Sequence, residues 1–195
     1  PFVQHWNGWD GKPINPREQQ DAVEFLQMLF GRMEEKMPSF KSLFEGTFQY
    51  HFKSCDSNIA YENDTFDNFT MLSLEVKGMN CIEDSFRMFV EPEVFNDYKV
   101  DDFNGFSGKI DVEKYSMIKK APEILIIQLK RFEYNLSTCQ REKLNSKYMF
   151  DYEIDLAPIM IDKEEPVIYE LFGIQMHSGF ATGGHYFSYI KYPNS

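Results

Sequence analysis

Two histidines lie near the end of the sequence, in the segment His177-Ser-Gly-Phe-Ala-Thr-Gly-Gly-His185-Tyr186. An imidazole can act as a general base near neutral pH. Gly183 and Gly184 have no Cβ, so they predict a turn with positive φ and allow backbone or an extended ligand to approach the histidine that follows. The segment therefore predicts a site of proton-transfer chemistry. For the turn taken alone, a hairpin tip that happens to contain histidine is the simpler interpretation.

A pair of carboxylates lies on the first predicted helix. Asp21 and Glu24 are three residues apart, so on a helix they occupy neighbouring turns and can face one cationic ligand. They also lie near the start of the helix, where the positive end of the helix dipole favours negative charge without any ligand. Both interpretations stay open on these residues alone.

The helix that carries this pair is predicted over residues 16–37. Asn15 can cap it, Pro16 suits its first position, and Glu18 falls where a capping-box acid reaches back to the cap. Pro38 ends it. Apolar residues at helical spacing predict its buried stripe: Ala22, Phe25, Leu26, Leu29 and Met33.

The rest of the chain is predicted to be mostly strands. Phe48, Tyr50 and Phe52 alternate with polar residues, which predicts a half-buried strand. One further helix is predicted over residues 82–90, ended by Pro92. Further strands are predicted over residues 69–76, 123–132 (the best-buried one), 150–156, 169–177 and 185–192. Because helices precede a run of strands, the sequence predicts the α+β class, with a largely antiparallel sheet and one domain over residues 1–195.

The net charge of −11 is uneven, since residues 53–102 hold twelve acidic against four basic side chains. This argues against nucleic acid as a main partner. Two interpretations stay open: a solvated acidic face, or a surface that attracts a basic protein partner.

The longest aliphatic run, Ile124-Leu-Ile-Ile127, is too short to cross a bilayer, so no membrane association is expected. The three cysteines are odd in number and are not closely paired, which argues against a disulfide framework. Reduced thiols and a location in the cytoplasm or nucleus are therefore expected.

Four segments, in this order, resemble the ubiquitin-specific protease family of cysteine deubiquitinases: Gln19-Gln-Asp-Ala-Val-Glu-Phe25, Gln128-Leu-Lys-Arg-Phe132, His177-Ser-Gly179 and Gly184-His-Tyr186. The stretches Phe69-Thr-Met-Leu-Ser-Leu-Glu-Val76 and Cys81-Ile-Glu-Asp-Ser-Phe86 also resemble the family's strand-then-helix unit. The resemblance covers nearly the whole chain. It implies part of a papain-like cysteine protease fold, namely the antiparallel palm and fingers sheet with helices.

The resemblance also implies an activity and its site. A cysteine thiolate would hydrolyse the peptide or isopeptide bond at the C-terminal glycine of ubiquitin, with a histidine as base and an Asp or Asn that orients it. Matched by position, His185 is the general base. The residues implied to hold the arginine-bearing ubiquitin tail are Gln20, Asp21, Glu24, Gln128, Phe132, His177 and Tyr186. For Phe132 and Gln128, an ordinary core residue and a satisfied edge residue are equally good interpretations. The implied partners are ubiquitin and ubiquitinated proteins.

The sequence departs from the family in two catalytic positions. The family's nucleophile precedes the Gln-Gln-Asp-Ala segment, and Cys55, Cys81 and Cys139 do not match that position. The third residue should follow His185 by more residues than the sequence contains. We therefore expect a fragment of a larger cysteine deubiquitinase, inactive alone. A non-catalytic ubiquitin-binding module is the alternative, and a β-rich interaction domain unrelated to enzymes would leave the four ordered segments unexplained.

Neither zinc nor another cofactor is expected. Many members of the family hold the tips of the fingers with two Cys-x-x-Cys pairs, whereas Cys55 is the only thiol left of the first pair and residues 101–105 contain none. A tetrahedral zinc site needs four ligands. His5 and His51 have no ligand spacing and are interpreted as surface or strand residues.

Overall fold

Helices come early in the chain, and strands make up most of the remainder. The computed structural model describes residues 6–8, 11–13, 15, 21–162 and 164–192. The helices within them are α1 (Ala22–Lys36), α2 (Pro38–Phe44) and α3 (Ile82–Val90). The strands are β1 (Gly46–Ser54), β2 (Glu62–Phe69), β3 (Leu72–Glu75), β4 (Glu93–Phe103), β5 (Phe106–Lys120), β6 (Ile127–Lys130), β7 (Phe132–Asn135), β8 (Gln140–Lys143), β9 (Glu153–Asp155), β10 (Ile168–Glu170), β11 (Gly173–Phe180) and β12 (Gly183–Ile190). The predicted α+β class is confirmed. None of the helices in these ranges is both long and apolar enough to cross a membrane.

The chain forms two compact units. The first, here the hairpin unit, contains the residues up to Ser42, Phe132–Lys143 and the residues from Phe172 onward. The second, the sheet unit, contains Leu43–Arg131 and Leu144–Leu171. That the 195 residues act as one domain stays a prediction.

The sheet unit is built on an antiparallel sheet with strand order β2-β1-β5-β4. The strand predicted from the alternation at Phe48, Tyr50 and Phe52 is confirmed as β1, and Tyr50 lies opposite Thr65 on one side and Ser116 on the other. The long β4–β5 hairpin had no counterpart among the predicted strands. Its first strand is mostly exposed, so it lacks the alternation of buried and exposed side chains on which strand prediction depends.

The main core lies where α3 packs beside the parallel pair of β3 and β6. Helix α3 has the predicted bounds and buries Ile82 and Phe86. Ser85 lies between them, where its hydroxyl donates to the carbonyl oxygen of Glu75 at 2.6 Å and is hydrogen-bonded to the Tyr148 hydroxyl. Fully buried apolar side chains complete this core: Leu72, Leu74, Val76, Ile118, Leu156 and Ile159.

A second apolar cluster lies in the sheet unit around Tyr61, Val100, Ile110 and Val112. The ring of Tyr61 meets that of Phe103 edge-on at 5.0 Å. In the part of the chain that the structure describes, no three His, Cys, Asp or Glu side chains are grouped so as to hold a metal ion. The absence of zinc from the protein stays a prediction.

Three predicted strands are shorter than the sequence indicated. The strand predicted over residues 123–132 is reduced to β6, which is half-buried, because Phe132 already pairs with Lys143 in β7 and β8. Residues 69–76 divide between the end of β2 and β3, and residues 150–156 contribute only β9. In each case the apolar residues that predicted the strand extend beyond the residues that pair with a neighbouring strand.

Helix α1 begins at Ala22 and not at residue 16. Asp21 is its cap, with extended backbone angles (φ −77°, ψ 129°). The roles predicted for Pro16 and Glu18 lie outside the described residues. The predicted stripe stays half-buried, and the buried side chains are Met28 and Phe30.

Gly46 lies at the start of β1, between β2 and β5. A Cβ there would lie 2.5 Å from Cζ of Phe69 and 2.8 Å from the carbonyl oxygen of Lys120. We expect Gly46→Ala to lower the free energy of unfolding by about 1–3 kcal/mol, because a backbone oxygen cannot move aside as a side chain can. Gly31→Ala is the control, since a Cβ on Gly31 meets nothing within 4 Å, and it should gain about 0.5–1 kcal/mol. Urea unfolding measures both. A Gly46→Ala protein as stable as the wild type would contradict this packing.

Candidate functional site

The two histidines of the C-terminal segment lie on the antiparallel β11–β12 hairpin. Pairing runs without a shift from Gly173 opposite Ile190 to Phe180 opposite Gly183. A strand pair around a turn is confirmed, but the strand predicted over residues 169–177 divides between β10 and β11, and the turn is formed by residues 181–182. Gly183 and Gly184 therefore lie in β12, and the prediction that they form a turn with positive φ is wrong.

Gly184 has a steric role. A Cβ on Gly184 would lie 2.2 Å from the carbonyl oxygen of Ser178 and 2.5 Å from Nε2 of His177. The imidazole of His177 therefore packs directly on the backbone of Gly184, and any side chain at this position would displace it. The glycines predicted a close approach to the histidine that follows them, His185. The histidine in close contact with Gly184 is instead His177.

The hairpin separates its two histidines. His177 lies opposite Tyr186, and His185 lies opposite Ser178. Because successive side chains on a strand point to opposite faces, His177 and Tyr186 share one face, and His185 is on the other, where it is exposed. We call the first face the His177 face.

The His177 face is aromatic. The ring centroid of His177 lies 4.8 Å from that of Tyr186, and Phe132 meets His177 edge-on at 5.2 Å. Phe132 comes from β7, and 43% of it is exposed. Of the two interpretations of Phe132, the ordinary core residue does not fit this exposure.

The start of α1 lies beside Tyr186. Burial, and then the charge of Asp21, raise the pKa of the Tyr186 phenol, while a hydrogen bond with the backbone of Ala22 lowers it. Asp21 is exposed, and its Oδ1 accepts hydrogen bonds from the amides of Val23 at 2.7 Å and Glu24 at 3.1 Å. The structural role that the sequence left open for Asp21 is therefore real, since it caps the helix. Glu24 is exposed in the first turn.

His177 is electrostatically distinct. Burial, and then the positive charge of Lys143, lower the pKa of its imidazole. Its Nδ1 is buried and has no hydrogen-bond partner among the described residues. The ring is therefore neutral at pH 7. An unsatisfied buried nitrogen lowers the stability of a folded protein, and function is one reason for which such a group is retained.

Of the two other predicted tail residues, the structure describes only Gln128. Gln128 lies in the sheet unit on β6, where its Oε1 accepts a hydrogen bond from the Ser73 hydroxyl at 2.8 Å. The amide oxygen of Gln128 is thus satisfied, which agrees with one of its two interpretations. Gln20 lies outside the described residues.

The cysteines do not resemble activated nucleophiles. Cys81 lies at the N-cap of α3, where a hydrogen bond with Glu83 is the largest cause of a raised thiol pKa. Burial, followed by Glu113 and Asp111, raises the pKa of Cys55. Cys139 is exposed in the β7–β8 turn. A reactive thiolate needs the opposite shift, which agrees with the structural interpretation of Cys81.

Lys143 was not among the predicted site residues. It lies next to His177, and its Nζ donates to the His177 carbonyl oxygen at 2.8 Å. Sequence alone offered no signal for it, because the contact depends on the pairing of β7 with β8 and on the position of that pair beside β11.

The known proteins that this chain resembles belong to one family. Residues 3–195 match the family described as ubiquitin carboxyl-terminal hydrolase. Among its relatives, ubiquitin carboxyl-terminal hydrolase 15 of Schizosaccharomyces pombe is 33% identical over 95% of this chain and 17% of that protein. The protein of the same name from Saccharomyces cerevisiae is 31% identical over 94% of this chain and 16% of its own length. The chain thus spans about a sixth of these relatives.

Solved structures show the same fold. One is the SAGA Ubp8/Sgf11/Sus1/Sgf73 DUB module bound to ubiquitin aldehyde, with a TM-score of 0.77 and 26% identity over 90% of this chain and 42% of that one. Another, of the module bound to monoubiquitin, has a TM-score of 0.78 and 27% identity over 90% and 41% of the two chains. The predicted fold, part of a ubiquitin-specific protease catalytic domain, is confirmed.

The lowered pKa of His177 predicts a specific pH dependence of stability. Between the folded pKa and the unfolded value of about 6.5, the unfolded chain binds more protons than the folded one, so acidification destabilises the fold. His177→Phe keeps a ring in place but removes the titration. We expect its free energy of unfolding to fall less than that of the wild type between pH 7.5 and 5, measured by urea unfolding. Identical pH slopes would contradict the assignment, because residue 177 is the only difference between the two proteins.

Proposed function

Because the chain belongs to the ubiquitin carboxyl-terminal hydrolase family, we propose that it carries the general base and part of the tail-binding surface of a cysteine deubiquitinase. The reaction is hydrolysis of the peptide or isopeptide bond that follows the C-terminal glycine of ubiquitin. The substrates are ubiquitinated proteins, in the cytoplasm or the nucleus. The observation that carries the proposal is the His177 face, where Phe132 and Tyr186 contact one neutral imidazole and the start of α1 lies beside Tyr186.

His185 is the proposed base. Its imidazole takes the proton of a cysteine thiol, and the thiolate attacks the carbonyl carbon of the terminal glycine. The leaving amine takes that proton as a thioester forms, and water then hydrolyses the thioester with His185 again as base. The exposure of His185 supports this role, since the base must reach both thiol and substrate. Because none of the three cysteines matches the nucleophile position of the family, and Cys55 and Cys81 have raised thiol pKa values, we place the attacking thiol in polypeptide outside these 195 residues.

The His177 face is the proposed path of the tail. An extended tail that ends in Gly-Gly needs a narrow channel, and the contacting rings of His177, Tyr186 and Phe132 would supply flat, rigid surfaces along it. The Asp21 and Glu24 carboxylates are suited to a tail arginine, which binds carboxylates by charge-assisted hydrogen bonds. Oδ1 of Asp21 is used by the helix cap, so the cap also fixes where its second oxygen points.

Gln20 and Gln128 are proposed to contact the same tail on the strength of the family resemblance. For Gln128, the hydrogen bond from Ser73 to Oε1 orients the amide group, and its nitrogen would then donate to a carbonyl of the tail. No zinc or other cofactor takes part in this proposal.

We expect ubiquitin binding to depend on the carboxylates of Asp21 and Glu24. Asp21→Asn removes the charge and keeps a side chain that can cap the helix, and Glu24→Gln removes the second charge. We expect each change to weaken ubiquitin binding by about 1.5–3 kcal/mol, the worth of a hydrogen bond to a charged group. Isothermal titration of the chain with ubiquitin measures this. Glu35→Gln, at the other end of α1, is the matched control and should bind normally; equal affinity for all four proteins would refute the tail-binding role.

Hydrolysis depends on His185. In the intact protein we expect His185→Gln to lower kcat on a fluorogenic ubiquitin C-terminal substrate by about 100-fold or more, with ubiquitin affinity unchanged, because only proton transfer is lost. A protein with Cys55, Cys81 and Cys139 all changed to serine should keep its activity. Loss of activity in that triple variant would place the nucleophile in this chain. A wild-type protein that binds ubiquitin without hydrolysing the substrate would favour the non-catalytic binding module.

A further inference from the structure

Lys143 joins two structural elements of the hairpin unit. It is the last residue of β8 and lies directly opposite Phe132 in the β7–β8 pair. Its Nζ donates to the carbonyl oxygen of His177 at 2.8 Å and to that of Gly179 at 3.4 Å. The side chain is half-buried, a position in which the charge of a lysine needs partners. One cation thus holds two carbonyl groups of the strand that carries His177.

These two carbonyl groups lie on the outer edge of β11. His177 and Gly179 are two residues apart, so their carbonyls point to the same side of the strand, while that of Ser178 points to the other side. Among the described strands, β11 is paired with β12 alone, so the carbonyls that face away from β12 need donors from elsewhere. Gly179 also has φ +120°, a conformation that other residues rarely adopt.

The pairing of β7 with β8 places Lys143 beside the backbone of His177. Since Phe132 and Lys143 are directly opposite each other, one strand pair contacts both the side chain and the backbone of His177. Phe132 meets the imidazole ring at 5.2 Å, and Lys143 holds the carbonyl oxygen of the same residue. The ring is further confined by Gly184 and Tyr186.

We propose that Lys143 is a positioning residue for the tail of ubiquitin, a role that rests on the function proposed above. It fixes the backbone of β11 at residues 177 and 179, and thereby holds the imidazole of His177 against Gly184 and Phe132. Its positive charge also disfavours a second charge on the imidazole. The channel therefore presents a neutral ring to a tail that is itself positively charged.

The first test is kinetic and uses the intact protein with a fluorogenic ubiquitin C-terminal substrate. Lys143→Met keeps a side chain of similar length but loses its charge and its donors. We expect kcat/KM to fall about tenfold or more, since small displacements of positioning groups have effects of this order. Lys143→Arg, which keeps a cation with N–H donors, should retain most of the activity. Lys41→Met is the matched control, since Lys41 lies on α2, where it forms an exposed ion pair with Glu34, and the change should leave kcat/KM unchanged.

The second readout separates positioning from stability. The groups that face His177 are Lys143 from β8, Phe132 from β7 and Tyr186 from β12, with Asp21 beside Tyr186. We expect the NMR titration of the His177 ring to move to higher pH in Lys143→Met and to stay in place in Lys143→Arg. A general loss of stability would not produce this difference. If Lys143→Met does not fold, Lys143→Gln serves in both measurements.

The outcomes distinguish this proposal from the function on which it rests. A wild-type protein that neither binds ubiquitin nor hydrolyses the substrate would overturn the proposed function. An active wild type with unchanged kcat/KM in Lys143→Met would overturn only the role of Lys143. A lowered kcat/KM with an unmoved His177 titration would also overturn it, since it would indicate a contribution to stability alone.

Discussion

The pairing register of the β11–β12 hairpin is the constraint on which the site depends. It sets His177 opposite Tyr186 and lets the imidazole pack on Gly184. It also places His185 on the opposite face. Because side chains alternate along a strand, a shift of one residue would exchange the faces of both histidines. One hairpin therefore places two chemically similar residues in different surroundings, since His177 lies in an aromatic cluster and His185 is exposed.

Groups outside the hairpin act mainly by fixing that arrangement. Phe132 meets the ring of His177, Lys143 holds its carbonyl oxygen, and the start of α1 lies beside Tyr186. Asp21 has a structural role and is still accessible to a ligand, because its carboxylate caps the helix and remains exposed. A helix start is suited to this double use, since its unpaired amides and dipole favour a carboxylate before any ligand arrives.

The sequence predicted the parts of the fold that local patterns determine. Helix α3 was found because its apolar spacing ends at Pro92, and β1 because Phe48, Tyr50 and Phe52 alternate with polar residues. The β4–β5 hairpin was not found, since exposed strands have no such pattern. The start of α1 was placed too early because the motif around Asn15 satisfies the same capping rules that Asp21 satisfies in the structure. The contacts of Gly184 and Lys143 could not be predicted, because both depend on which residues lie opposite each other.

We propose that the His177 face receives the C-terminal tail of ubiquitin. The most direct measurement compares binding of this chain to ubiquitin and to ubiquitin that lacks its last two glycines, by isothermal titration under identical conditions. We expect markedly weaker binding of the shortened form, with the NMR signals of His177 and Tyr186 perturbed by intact ubiquitin only. Equal affinity for the two forms, with both signals unmoved by intact ubiquitin, would contradict it.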